Sequence, residues 1–211
     1  HDALPISPSG FPCSPLQAVV RWLPMQRSTA APQALRALIE GPGLADLGPG
    51  PRASALSRVA IDPVVDAALP HSRGRDLVRA LVLLWNDHHE EAHALVQDLA
   101  TREANLIHAI LHRREPDFAN ASYWFHRVGA HPLYPRLGAR IAALPPGQPE
   151  SRVEVRIVRN GTWDPGAFAS CCEEALDLPP GSPLPTRLRE LQQHESLELL
   201  EHLWTATHHE A

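Results

Sequence analysis

Histidine pairs are the part of this sequence whose residue types and spacing could do chemistry. Seven of the 13 histidines fall within residues 88–131. His89 and His93 are four positions apart, as are His108 and His112, and residues four apart share one face of a helix. Imidazole nitrogens bind zinc, copper, iron and nickel. Two such faces brought together would form a divalent-metal site; otherwise the rings are surface groups or hydrogen-bonded core residues.

The segment "HEEAH" at residues 89–93 also matches the HExxH pattern, in which two histidines bind zinc and the glutamate is a general base. His89 lies one position off the apolar stripe and close to a helix start, whereas that chemistry needs burial in the middle of a helix. We therefore interpret the match as chance. A metal-dependent hydrolase with a histidine cluster across two helices stays open as one hypothesis. Its candidate metal ligands are His88, His93, His108 and His112, and its candidate bases or additional ligands are Asp87 and Glu115.

Arginine and aromatic residues beside these histidines favour a different hypothesis, a pocket for an anion. "HRRE" at residues 112–115 closes a predicted helix, where basic side chains either complement the helix dipole at the surface or form a fork for a carboxylate or phosphate. The principal prediction is a helical-repeat-like protein whose His/Arg-lined pocket binds a small anionic molecule or a peptide. Its candidate ligand-binding residues are Arg113, Tyr123, Trp124 and Arg127.

Helical periodicity predicts the elements that would position these side chains. Apolar residues recur every three or four positions over residues 75–99. Asn86-Asp87 is a possible break, at which Asp87 would cap a second helix together with Glu90. The remaining helices are predicted at residues 32–40, 62–69, 103–114, 118–128, 135–144, 165–176 and 186–207, and a strand at residues 152–158.

The two predicted helix pairs in the middle of the chain are similar to each other. "DHHEEAHALVQDL" and "PDFANASYWFHRV" share a turn, a cap, an alanine and an apolar run; Ala80 and Ala92 have equivalents in Ala109 and Ala121. Small residues at such places let the helices of tetratricopeptide-type hairpins approach closely. The predicted fold class is therefore mostly α, with antiparallel, tetratricopeptide-like helical hairpins and at most a minor β-hairpin near residues 152–163.

Composition limits the domain organisation and the classes of partner. With 211 residues and 44% hydrophobic content, one domain is expected: a non-native or disordered tail at residues 1–15, then a single helical domain at 16–211 whose first part, 16–70, is rich in Pro and Gly. A net charge of −5 argues against a nucleic-acid partner. No apolar run approaches the roughly 20 residues of a membrane span. Three cysteines form no disulfide framework, so we expect a reducing, cytoplasmic setting.

The block "LIHAILHRREPDFANASYWFHRVGAHP", preceded by "LLWNDHHEEAH" and followed by "WDPGAFASCCE", resembles a family of uncharacterised bacterial and fungal proteins. Members of that family share a W-x-D-H…A-H block and an LHxxxHRRExDxxNxxYWFxRxGxHP-like block. The resemblance covers roughly residues 80–135 and implies no mechanism. In the family the place of His89 is usually apolar, which counts against the HExxH interpretation and directs attention to His88, His93, His108 and His112.

Overall fold

The computed structural model describes residues 30–70, 74–179 and 181–209. Helices form most of the described chain, and the prediction of a mostly α-helical fold with a minor β-hairpin is confirmed. The tail expected at residues 1–15 lies outside the described residues. The helices are α1 (Gln33–Glu40), α2 (Arg58–Ala68), α3 (Arg75–Trp85), α4 (His89–Val96), α5 (Arg102–Arg114), α6 (Phe118–Val128), α7 (Leu133–Ala142), α8 (Glu154–Ile157), α9 (Pro165–Ala175) and α10 (Pro183–His209).

Helix α5 is the central element of the fold. The Thr101 hydroxyl caps its start by accepting the Ala104 N–H, and every residue from Ala104 to Arg114 is buried. Helices α3, α4 and α6 pack around α5. Helix α10 contributes Glu195 to Arg113 near the end of α5 and His202 to Glu103 near its start. A helix covered on all sides buries its polar residues as well as its apolar ones, so each buried polar group needs a partner.

The small residues singled out in the two helix pairs all lie in the core. Helix α3 packs against α4, and α5 against α6. The four alanines, Ala80, Ala92, Ala109 and Ala121, have no exposed surface. Their burial fits close helix approach, while the tetratricopeptide-like arrangement itself stays a prediction.

The turn between α3 and α4 differs from the one expected. The helix does break at Asn86 and Asp87, and Asp87 adopts a left-handed backbone conformation with φ of 66°. The prediction that Asp87 caps α4 is wrong: the residue at the cap position is His88, and no side chain accepts a hydrogen bond there. The Asp87 carboxylate turns instead towards two arginines, Arg52 and Arg114.

Two further element predictions need correction. Helix α2 begins at Arg58 rather than residue 62, with Pro63 inside it rather than in its first turn. The strand predicted at residues 152–158 is wrong for most of its length, because α8 (Glu154–Ile157) occupies it after a short 3-10 turn (Pro149–Ser151). Val153 and Ile157, four positions apart as on one face of a helical turn, are buried, while Val155 between them is 82% exposed. Within the described residues, strand pairing is limited to β1 (Val158–Arg159) and β2 (Thr162–Trp163).

Helix α10 is the longest element and lines one side of the core. Its side chains buried in the core include Leu188, Leu191, Leu199 and Leu203. Gln192 and Glu195 on the same helix are also buried, and both reach α5. Among the described helices, none combines the length and the apolar character needed to cross a lipid bilayer.

Candidate metal centre

Three histidine side chains converge between α4 and α5. One nitrogen from each of His93, His108 and His112 lies within 4.8 Å of the other two. The ring centroids of His108 and His112 are 4.7 Å apart and nearly parallel, and the His93 ring meets His108 edge-on at 4.7 Å. Nitrogen donors bound to one tetrahedral zinc lie about 3.3 Å apart, so small side-chain rotations would bring the three into a ligand set.

Local sequence explains why these rings meet. His108 and His112 are one turn apart on α5 and therefore share a face. The loop at residues 97–101 reverses the chain after α4, which places His93, the histidine nearest the end of that helix, against this face. The fully buried Ala92 and Ala109 beside them are small enough to let the two helices come close.

His108 is the most enclosed member of the three-histidine cluster (His93, His108 and His112). Its side chain stacks on Trp124 of α6, with ring centroids 4.1 Å apart, and its Nε2 atom is buried without a hydrogen-bond partner. Burial, followed by repulsion from His112 and His93, lowers the pKa of His108 to about 4. The ring is therefore neutral at pH 7 and keeps the lone pair that a metal requires.

His112 has supporting contacts on its other side. Its Nδ1 atom lies 3.0 Å from Oε2 of Glu115, which favours a proton on Nδ1 and a lone pair on Nε2. The Asn120 amide nitrogen lies 3.4 and 3.2 Å from the two ring nitrogens and so faces the ring between them. A carboxylate that orients a histidine through its second nitrogen is a recurrent support for metal ligands.

The rim of the cluster is aromatic and cationic. Tyr123 is 55% exposed, and Trp124, next to it, is half-buried against His108. The Arg127 guanidinium lies over both rings, with Cζ 5.8 Å from the Tyr123 centroid and 5.4 Å from that of Trp124. Of the four predicted ligand-binding side chains, Trp124 thus contacts a cluster histidine directly, and Tyr123 and Arg127 contact Trp124.

Arg113, the fourth, lies on another side of α5. It has no exposed surface and forms a two-pronged pair with Glu195 of α10, at 3.0 and 2.5 Å. Its guanidinium also lies 4.6 Å from the Phe168 ring centroid. The surface role considered for Arg113 and Arg114 is wrong, because both are buried in internal ion pairs.

Two other predicted site residues are also held elsewhere. His88 Nε2 lies 2.8 Å from the Leu56 carbonyl oxygen, so this nitrogen donates to the backbone and is not in the cluster. Burial opposes ionisation of Asp87, but hydrogen bonds from Arg52 and Arg114 outweigh it and lower the pKa of the carboxyl group. Asp87 is therefore an ionised member of a buried ion pair, and it joins the loop at Arg52 to α5.

The HExxH histidines do not act as a pair. His93 joins the three-histidine cluster, whereas His89 places Nδ1 3.2 Å from the Asp87 carbonyl oxygen and does not belong to the cluster. This placement agrees with the interpretation of the motif as a chance match.

Sequence reasoning missed a second group, the Glu103 cluster, formed by Glu103, His131 and His202. Glu103 Oε1 lies 3.4 Å from His202 Nε2 and 3.8 Å from His131 Nε2. His131 Nδ1 accepts the Leu133 backbone N–H at 3.2 Å, so the proton of the neutral ring is on Nε2. A protonated nitrogen has no lone pair for a metal, and this group is better described as a carboxylate shared by two imidazoles. The contact with His202, some 99 positions from Glu103 on α10, leaves no signal in sequence spacing.

Comparison of the chain with protein-family models, with curated proteins and with solved structures finds no match. The resemblance to the family of bacterial and fungal proteins therefore stays a prediction.

Proposed function

We propose that the three-histidine cluster binds one divalent transition-metal ion, zinc being the best fit, and that the protein is a metal-dependent hydrolase. One observation carries the proposal: three imidazole nitrogens converge within 4.8 Å, and the most buried ring leaves its Nε2 without a partner. A buried polar atom with no partner costs free energy, and coordination to a metal would remove that cost.

The donor set favours hydrolytic chemistry over a purely structural role. Structural zinc sites usually have four protein ligands, whereas catalytic sites keep three and leave one position for water. Three neutral imidazoles also leave the full positive charge of the ion in place. Such an ion would act as a Lewis acid and make a coordinated water nucleophilic near neutral pH.

The residues around the cluster then have distinct roles. Glu115 holds the His112 ring in the tautomer that presents Nε2, and Trp124 fixes the His108 ring by stacking. Asp87 is not proposed as a base, because two arginines already hold its carboxylate. His93 is half-buried, in contrast to His108 and His112, and is therefore the member of the cluster most accessible to solvent.

The proposed substrate is a small molecule or a peptide, and the proposed setting is cytoplasmic. Both proposals rest on the sequence. The acidic net charge disfavours a nucleic-acid substrate, and the cysteine content suits a reducing compartment. The free, buried thiols of Cys171 and Cys172 are compatible with that setting.

Metal analysis of the purified protein, followed by replacement with Co²⁺, tests the proposal. We expect one ion per chain, together with a visible Co²⁺ spectrum of tetrahedral type that changes when azide is added, because azide would take the open position. The His108→Ala and His112→Ala variants should lose the ion, and the exposed His126→Ala variant should retain it.

Two results would overturn the proposal. If the folded wild-type protein binds no zinc or cobalt at micromolar concentration, there is no metal centre. If the Co²⁺ spectrum is insensitive to azide, the ion has no exchangeable position and the hydrolase assignment fails. Circular dichroism of each variant separates loss of metal from loss of fold.

A further inference from the structure

We infer that the substrate of this centre carries an oxyanion, a carboxylate or phosphate group, and that Arg127 binds it. The inference rests on the proposed metal centre and adds the class of substrate. Its starting point is an arginine that packs on Trp124, the ring stacked on His108, and that lacks an acidic partner.

Arg127 differs from most arginines of this protein in its charge environment. Among the residues that the structure describes, only Arg102, Arg127 and Arg152 form no ion pair with an aspartate or glutamate. The single polar contact of Arg127 is a 3.4 Å hydrogen bond from Nη1 to the Tyr123 hydroxyl. Most of its guanidinium N–H groups are therefore free to bind an anion, and a guanidinium fork fits a carboxylate or phosphate by two parallel hydrogen bonds.

Arg127 is connected to the three-histidine cluster through Trp124, which lies on the same face of α6. Helix α6 presents Asn120, Trp124 and Arg127 at successive steps of four and three residues, so they form one row along a helix face. Asn120 faces His112, and Trp124 stacks on His108. Arg127 follows one step further, with its Cζ atom 5.4 Å from the Trp124 centroid.

The row of Asn120, Trp124 and Arg127 also indicates the shape of the substrate, in addition to its charge. The indole of Trp124 lies between the free cation and His108, and Tyr123 adds an exposed ring beside it. A substrate with its anionic end on Arg127 and its reactive group at the histidines would pass across these rings. An apolar or planar middle section gains contact area there. The geometry thus points to a small oxyanion with an aromatic or apolar body.

Isothermal titration of the zinc-loaded protein tests the inference with three related probes: benzoate, phenylphosphonate and the neutral analogue benzamide. We expect at least one of the two anions to bind, and benzamide to bind much more weakly. Arg127→Gln should weaken binding of that anion by at least about 10-fold, the effect of losing a charged hydrogen bond, and should leave the zinc content unchanged. The matched control is Arg102→Gln, an exposed arginine without an acidic partner at the other end of α5.

Several outcomes would overturn the inference. They are failure of both anions to bind the wild-type protein, equal affinity of wild type and Arg127→Gln, or an equal loss in Arg102→Gln. A preference for benzoate or for phenylphosphonate distinguishes a carboxylate substrate from a phosphate one.

Failure of the metal proposal gives a different result. In that case zinc is absent from the wild-type protein, and the same titrations are run on the metal-free chain. Loss of anion binding in Arg127→Gln would then support an anion site at Arg127 without a metal. Unchanged anion binding would overturn both the metal proposal and the inference about Arg127.

Discussion

The three-histidine cluster and the Glu103 cluster both include side chains of α5 but differ in what their atoms can bind. Both contain three potential ligands whose donor atoms lie within 4.8 Å of one another. In the Glu103 cluster a carboxylate already serves both imidazoles, and a backbone N–H fixes the His131 tautomer. In the three-histidine cluster the donors face one another with no carboxylate among them. The buried Nε2 atoms of His108 and His131 both lack a hydrogen bond, but that of His131 faces the Glu103 carboxylate at 3.8 Å. Proximity of potential ligands is therefore not sufficient for metal binding. The protonation state that neighbouring groups impose on each ring determines whether it can bind a metal.

The strongest test of this comparison is ligand deletion in each cluster. His112→Ala should lower zinc affinity by more than the roughly 100-fold that loss of a supporting partner costs, because a direct ligand is removed. The equivalent deletion, His131→Ala, should leave zinc affinity within about two-fold, since that ring does not present a lone pair to a metal. Competition with a fluorescent chelator measures both. Zinc loss in His131→Ala alone would reverse the assignment of the two clusters.

A second test removes the carboxylate near each group. Glu115→Ala should lower zinc affinity by about 10–100-fold, because His112 loses the acceptor that fixes its tautomer. Glu103→Ala serves as the matched control, being an acidic residue at the opposite end of α5, and should leave zinc affinity unchanged. Equal affinity of Glu115→Ala and the wild type would show that Glu115 does not orient the ring.

The pH dependence of folding should also separate the clusters. The pKa of His108 is about 4 in the folded protein against an ordinary 6.5. As pH falls through this window the unfolded chain takes up the proton first, so stability present above pH 6.5 is lost towards pH 4. We expect metal-free wild type to lose about 1–2 kcal/mol more than His108→Phe over that range. Urea unfolding at pH 7, 6, 5 and 4 measures this difference, and parallel curves for the two proteins would contradict it.

Glu103 should respond in a lower pH range. The neighbouring His131 and His202 rings lower the pKa of its carboxyl group, so its contribution is present above its ordinary value of 4.5 and is lost as pH falls further. Between pH 7 and pH 6 we therefore expect the free energy of unfolding, measured with urea, to depend on pH in Glu103→Gln much as it does in the wild type. A steep new dependence in that interval would show that the histidines, rather than the carboxylate, titrate there.

The smallest expected effect is on the contact between α5 and α10. His202→Gln removes a 3.4 Å contact to Glu103 and a ring contact to His131 at 4.8 Å. Because His202 is partly exposed, we expect a loss of about 0.5–1 kcal/mol in the free energy of unfolding, with zinc content unaffected. A loss of zinc in this variant would mean that the two clusters are coupled through α5.

Much of the helical framework could be predicted from the sequence. Helical periodicity located α5 and α6, and the carboxylate of Asp117 accepts the Asn120 N–H at the start of α6. These features depend on residues within four positions of one another, where local spacing determines which groups meet. The strand predicted at residues 152–158 is wrong for most of its length, because Val153 and Ile157 share one side in a strand and also in a single helical turn. The alternation therefore does not distinguish the two, and packing favours the helix.

In the candidate site, too, the features that depend on local spacing could be predicted and those that depend on distant contacts could not. The sequence by itself determined that His108 and His112 share a face of α5, since that follows from helix geometry alone. Only the tertiary structure decided that His93 completes the cluster while His88 binds the Leu56 carbonyl oxygen, because the partners of both rings are distant in the chain and are brought to them by folding. It also decided that Arg113 is buried against Glu195 while Arg127 stays free, because the two arginines differ in which distant helix covers them. Charge and spacing in the chain are the same for a buried pair as for a binding residue, and only the neighbours brought by folding distinguish them.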